Sequence, residues 1–176
     1  MTPETTHAER FEECIRAGGI VLFPADTVYG LAVDPENTDA VERMYALKGR
    51  PAEQKAALMY FLVDAVPDLP ERARRVLPGP VTVILPDGRG IRVPDQPLLA
   101  GVTVPVLQTS ANPHGGEDPR RLEDVDPAIR ARVDLEIDGG ELLGTPSTVV
   151  DLGGDEIRIV REGALPAARL RELLQR

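Results

Sequence analysis

Apolar positions along the chain alternate between helical stripes and short continuous runs. Phe11, Cys14 and Ile15 recur at helical spacing, with Thr5-Thr6 ahead of them, acids in the first turn and Gly18-Gly19 behind. That pattern predicts a helix over 7–17. Ile20 to Phe23 is a run of strand type, closed by Pro24, which cannot donate to a ladder. After a loop at 34–37, Val41, Met44, Tyr45 and Leu47 mark the inner side of a helix that ends near Lys48. Ala56 to Val63 reads as a strand buried on both faces. An arginine-bearing helix is predicted over 67–77, ended by Pro78-Gly79-Pro80. Strands follow at 81–85 and 91–94, around a tight turn at 87–90, and then at 104–108. The last of these runs into Thr109-Ser110-Ala111-Asn112 and a polar, glycine-rich loop over 113–118. Residues 127–132 read as helix, and 135–137, 147–152 and 157–161 as strands. A C-terminal helix opens at Pro166, with Ala168, Leu170, Leu173 and Leu174 on its apolar face. Strands alternating with helices predict an α/β fold with three layers and a large mixed sheet. No repeat or long linker divides residues 1–176, so a single domain is expected.

Composition narrows the picture. With aromatics at 3% and no Trp, the core must be built from Val, Leu, Ile and Ala. The formal net charge of −9 argues against a generally basic, nucleic-acid-binding surface, though not against a local basic pocket. Cys14 stands alone, which excludes an internal disulfide and fits a reducing, cytoplasmic home. The N-terminus is acidic and lacks the apolar stretch of a signal peptide. No apolar run approaches the ~18–20 residues that span a bilayer.

Candidate chemistry clusters just after the strands, where open α/β sheets bind ligands. Asp26-Thr27 follows the first run, and Ser110 and Asn112 follow the run at 104–108. Arg92 lies within a short strand, and Lys48 and Arg50 end a helix with no carboxylate between them. No phosphate-loop or dinucleotide fingerprint is present, and His7 and His114 are too isolated for a zinc site or a catalytic triad. What remains is recognition by Lys, Arg, Ser, Thr and Asn, which suits anionic ligands such as nucleotides. Each group has a structural reading as well. Lys48 and Arg50 suit a helix C-terminus, Arg92 a salt bridge, and Ser110, Asn112, Ser147, Asp26 and Thr27 turn or strand-end bonding.

Seven ordered segments between about Gly19 and Gly163 settle that ambiguity by resemblance. PADTVYGLAVDP, KGRP, PGPVTVIL, RVPDQP, TSAN, TPSTVVDL and REGAL resemble, in order, the landmarks of the YrdC-type threonylcarbamoyl-AMP synthase family. The resemblance implies a YrdC-like fold, a twisted mixed sheet flanked by helices around a concave ligand cleft. It implies synthesis of threonylcarbamoyl-AMP and pyrophosphate from L-threonine, bicarbonate and ATP, with Mg²⁺ on the phosphates. A separate tRNA threonylcarbamoyl transferase complex would take the product. It assigns Lys48, Arg50, Lys55, Ser110, Asn112 and Arg161 to ATP. It assigns Asp26, Thr27, Tyr29, Arg92 and Ser147 to threonine, with Arg92 on the carboxylate and no covalent nucleophile or protein-held metal.

The chain also departs from the family pattern. Ala25 replaces a usual Thr, Gln54-Lys55 replaces Lys-Pro or Asn-Pro, and 113–121 lacks Ser-Gly-x-Pro-Ser. These departures leave a second reading, a paralogue that binds a nucleotide or RNA without synthase activity, and a third, carbamoyl-adenylate chemistry for another acceptor. RNA contact would be weak unless Arg72, Arg74 and Arg75 joined the site cations in one patch.

Overall fold

The computed structural model describes residues 5–49 and 56–175. Helix α1 (His7–Arg16) starts at a capping box in which the Thr6 hydroxyl accepts from the Glu9 N–H and the Glu9 carboxylate accepts from the Thr6 N–H. Helix α2 (Thr38–Lys48) is capped by the Asn37 side chain and stops at Gly49, whose φ of 59° is the left-handed geometry of a helix C-terminus. Three shorter helices follow: α3 (Glu71–Arg74), α4 (Pro127–Arg130) and α5 (Ala167–Leu174).

Nine strands form one continuous mixed sheet: β1 (Val21–Pro24), β2 (Tyr29–Val33), β3 (Ala57–Met59), β4 (Val81–Ile84), β5 (Gly90–Arg92), β6 (Val106–Ser110), β7 (Leu135–Glu136), β8 (Thr148–Asp151) and β9 (Arg158–Arg161). Their order is β7-β1-β2-β6-β3-β5-β4-β8-β9. The pairs β7/β1, β3/β5 and β4/β8 are parallel, and the other five are antiparallel. Alternation of side chains gives this sheet two unlike faces. On one face, Leu22, Leu31 and Val33 pack under α2 and α4, while Val81, Val83, Ile91 and Val150 pack under α3 and α5. On the other, Val21, Phe23, Ala32, Met59 and Val106 pack under α1. From β5 to β9, no helix among the described residues packs on that second face. The expected twisted mixed sheet flanked by helices is therefore the observed fold, with three layers at its β1–β2–β6 end. Among the described residues, no helix is long and apolar enough to cross a membrane.

Three elements differ from the sequence pattern. The strand expected over 56–63 keeps only Ala57–Met59 in the sheet. Its neighbour β5 runs into Pro94, which has no N–H, and the chain leaves the ladder after the Tyr60 N–H bonds the Arg92 carbonyl. The helix expected over 67–77 shrinks to four residues because Pro70 holds an extended conformation just before it. Strand β2 has no counterpart in the sequence reading. It forms a hairpin with β1 across the 25–28 turn, closed by an Ala25 N–H to Val28 carbonyl bond.

Candidate functional site

The open face of the sheet is the floor of a cleft of about 410 Å³, within the size range of small-molecule sites. Strand register sets its rows. Arg92 lies opposite Thr82, Thr82 opposite Val149, and Val149 opposite Arg161. Ala57 pairs with Gln108, and Gly90 with Ile84. Walls come from the turn after β1 (Ala25, Thr27, Val28), the end of β6 (Ser110), the loop bearing Asp118, and Pro146-Ser147 before β8.

Five residues picked out in the sequence meet in this lining: Thr27, Arg92, Ser110, Ser147 and Arg161. The Ser147 hydroxyl lies 2.8 Å from the Thr82 hydroxyl on the neighbouring strand. The Arg161 guanidinium donates to the Ser147 carbonyl at 2.8 Å, while Arg161 itself stays exposed. Arg92 is only 4% exposed, and its Nη2 bonds the Asp26 carboxylate. Its Nε is buried and unpartnered. Burial lowers the pKa of Arg92 from its ordinary value; Asp26 opposes that, and nearby Arg161 adds to it.

Other expected residues sit elsewhere. Asp26 lies behind Arg92 as its counterion and also accepts the Asp95 N–H at 3.3 Å. Tyr29, expected at the amino-acid end, points to the opposite face, because the two-residue period of β2 puts Gly30 on the cleft side instead. Its hydroxyl shares its one proton between Asp138 and the Gly140 carbonyl, at 2.9 and 2.8 Å, and accepts the Gly139 N–H. Burial, with the Asp138 carboxylate alongside, pushes this phenol up to about 12. Lys48, expected on phosphates, is 5% exposed and is turned into the Ser110–Asn112 turn. Its ammonium donates to the carbonyls of Ser110 and Asn112 and to the Asn112 side chain, at 2.5, 2.6 and 3.0 Å. Asn112 is likewise occupied, accepting from the Ser110 hydroxyl and donating to the Gly116 carbonyl. Arg50 and Lys55 lie outside the described residues.

Sequence reasoning missed Thr82, Gln108 and Asp118 in the lining. The signal for the first two was present, as single polar residues in the apolar strands VTVI and VLQTS, on the face opposite the core positions. For Asp118, placed by an irregular loop, the sequence offers none.

The arrangement gathers two guanidinium groups, several hydroxyl-bearing residues and one carboxylate around an open space. That chemistry fits anionic, hydroxyl-bearing ligands. Among the described residues no group of three or more His, Cys, Asp or Glu could hold a metal ion. A family model described as telomere recombination, for the Sua5/YciO/YrdC domain, matches residues 13–163. A threonylcarbamoyl-AMP synthase of Marinobacter nauticus is 34% identical over 169 residues, covering 80% of this chain and 88% of that protein. The fold matches Pyrococcus abyssi Sua5 complexed with L-threonine at a TM-score of 0.85 and 29% identity, over 93% of this chain and 56% of Sua5. It matches Escherichia coli YciO at 0.77 and 27%, over 92% of this chain and 90% of YciO. The chain thus spans most of the shorter relatives and about half of the longer one.

Proposed function

Because the chain belongs to the Sua5/YciO/YrdC family, we propose that it is an enzyme making threonylcarbamoyl-AMP and pyrophosphate from L-threonine, bicarbonate and ATP. Supporting this reading are the relatives named for that product and the Sua5 relative complexed with L-threonine. The observation that carries it is the pairing of buried Arg92 with exposed Arg161 on the floor of one open cleft, among Thr27, Thr82, Ser110 and Ser147.

Chemistry proceeds in two steps. The threonine amine condenses with bicarbonate, forming a C–N bond and releasing water, to give a carbamate. A carbamate oxygen then attacks the α-phosphorus of ATP. The bond to the β-phosphate bridging oxygen breaks, and pyrophosphate leaves with the electron pair. No covalent nucleophile is required, only the holding of two anions in contact. Arg92 offsets the charge of the threonine carboxylate, and Arg161 is assigned to the nucleotide. Ser110, on the turn braced by Lys48 and Asn112, faces the phosphates, and Arg50 and Lys55 are assigned to the same phosphates. Mg²⁺ enters as part of the nucleotide substrate, consistent with its habit of keeping phosphate and water ligands instead of an all-protein cage.

The product is a mixed anhydride, so a transferase acting on tRNA adenosine would consume it, in the cytoplasm. RNA contact by this chain itself is weak in this reading. Arg72 bonds the carbonyls of Leu152 and Gly154, Arg74 pairs with Asp64, and Arg75 bonds the Leu174 carbonyl. Mass spectrometry of a reaction with isotope-labelled threonine and bicarbonate tests the assignment. One adduct carrying both labels and AMP is expected. AMP formation without label, or tight RNA binding without adduct, overturns it.

A further inference from the structure

We propose that Asp26 is a positioning residue that acts through Arg92 and does not touch the amino-acid substrate, an inference that rests on the function proposed above. The Asp26 and Arg92 side chains are 7% and 5% exposed. Asp26 is absent from the cleft lining, whereas Arg92 is in it. One carboxylate oxygen takes the Nη2 of Arg92, and the other takes the Asp95 N–H. The carboxylate thereby ties the turn after β1 to the end of β5 and fixes the guanidinium plane. The Nε of Arg92 remains buried and, among the described residues, without a partner.

Charge counting supports the same division of labour. Among the described cleft charges, Asp26 balances Arg92, and Arg161 and Asp118 are the others near the floor. If Asp26 merely set net charge, neutralising it would strengthen the capture of an anionic substrate. If it orients Arg92, neutralising it weakens that capture, because a guanidinium out of plane loses its fixed fork.

The test compares Asp26→Asn, Asp26→Glu, Arg92→Gln and the double variant Asp26→Asn/Arg92→Gln in threonine-dependent pyrophosphate release. Asp26→Asn is expected to raise the threonine KM about tenfold or more, to leave the ATP KM within about twofold, and to be partly rescued by Asp26→Glu. A threonine KM that is unchanged or lowered in Asp26→Asn overturns the proposal. Asp26→Asn leaves a buried guanidinium unpaired, which itself threatens folding. The double variant removes both charges and keeps the test decisive. It should match Arg92→Gln in threonine KM, since Asp26 has nothing left to position. A double variant markedly worse than Arg92→Gln would mean that Asp26 contacts substrate directly. Absence of threonine-dependent release in the unmodified protein would instead refute the proposed function, so the two failures are distinguishable.

Discussion

Tyr29 commits its hydroxyl to the 138–140 turn while its ring sits in the core under β2. The consequence is a stability that depends on alkaline pH. The unfolded chain loses the phenolic proton near 10.0, the folded chain only near about 12. Between those values the unfolded state binds fewer protons, so stability falls as pH rises through this window and is unaffected below it. Tyr29→Phe removes that component. It is expected to cost on the order of 1–3 kcal/mol at pH 7, from the lost hydrogen bonds of its hydroxyl, one of them to a carboxylate. In urea titrations the gap between the two proteins should narrow from pH 10 toward 12. A gap constant across that range would contradict the assignment. Lys48 holds its own turn in the same way. Lys48→Met keeps the apolar stem but removes the donor shared by two carbonyls and the Asn112 side chain. A loss on the order of 2–3 kcal/mol is expected, with faster amide hydrogen exchange over 110–116. Unchanged exchange there would contradict a bracing role.

At the scale of elements, the segment between β7 and β8 delivers Pro146-Ser147 to the cleft and is pinned from several sides. The Gly144 N–H bonds the Thr27 carbonyl, the Leu142 N–H bonds the Arg120 carbonyl, and Glu141 pairs with Arg120 and Arg121. Gly163 closes the last gap. A Cβ there would stand 2.1 Å from the Pro146 carbonyl oxygen and 2.6 Å from the Ser147 carbonyl carbon. Since both are backbone atoms, Gly163→Ala must move the chain. A loss of about 1–3 kcal/mol is expected in thermal or urea unfolding, together with a higher threonine KM. Wild-type stability and KM in this variant would show that the approach is not tight. Such close passages leave no trace in hydrophobic patterning, which reads what each residue buries and not what it brushes past. The regular elements were more legible. Both long helices and most strands fell where apolar stripes and runs predicted them, and the cap of α1 was readable at Thr5-Thr6. The failures at 56–63 and 67–77 came from prolines, one of them on a neighbouring strand, which no local window detects. Arg92, Ser147 and Arg161, which line the cleft, were singled out because their segments matched a family order. Which of the matched residues face the cleft, and which stand behind it like Asp26, Lys48 and Tyr29, is decided by strand phase and tertiary pairing.

Among the described residues, one face of the sheet is covered by α2, α3, α4 and α5 and the other by helix at its α1 end alone. The less covered side holds two arginines, Arg92 paired with Asp26 and Arg161 exposed, in a chain whose formal net charge is −9. Most described surface arginines are matched by carboxylates, as in the Arg130–Glu136 and Arg158–Asp151 pairs, whereas Arg161 faces open space. In the function proposed above, this cleft joins threonine, bicarbonate and ATP. Pyrophosphate release from ATP, measured with threonine and bicarbonate each omitted in turn, tests it most directly. Release that requires both is the predicted result; release that persists without either, or no release with all three present, would contradict it.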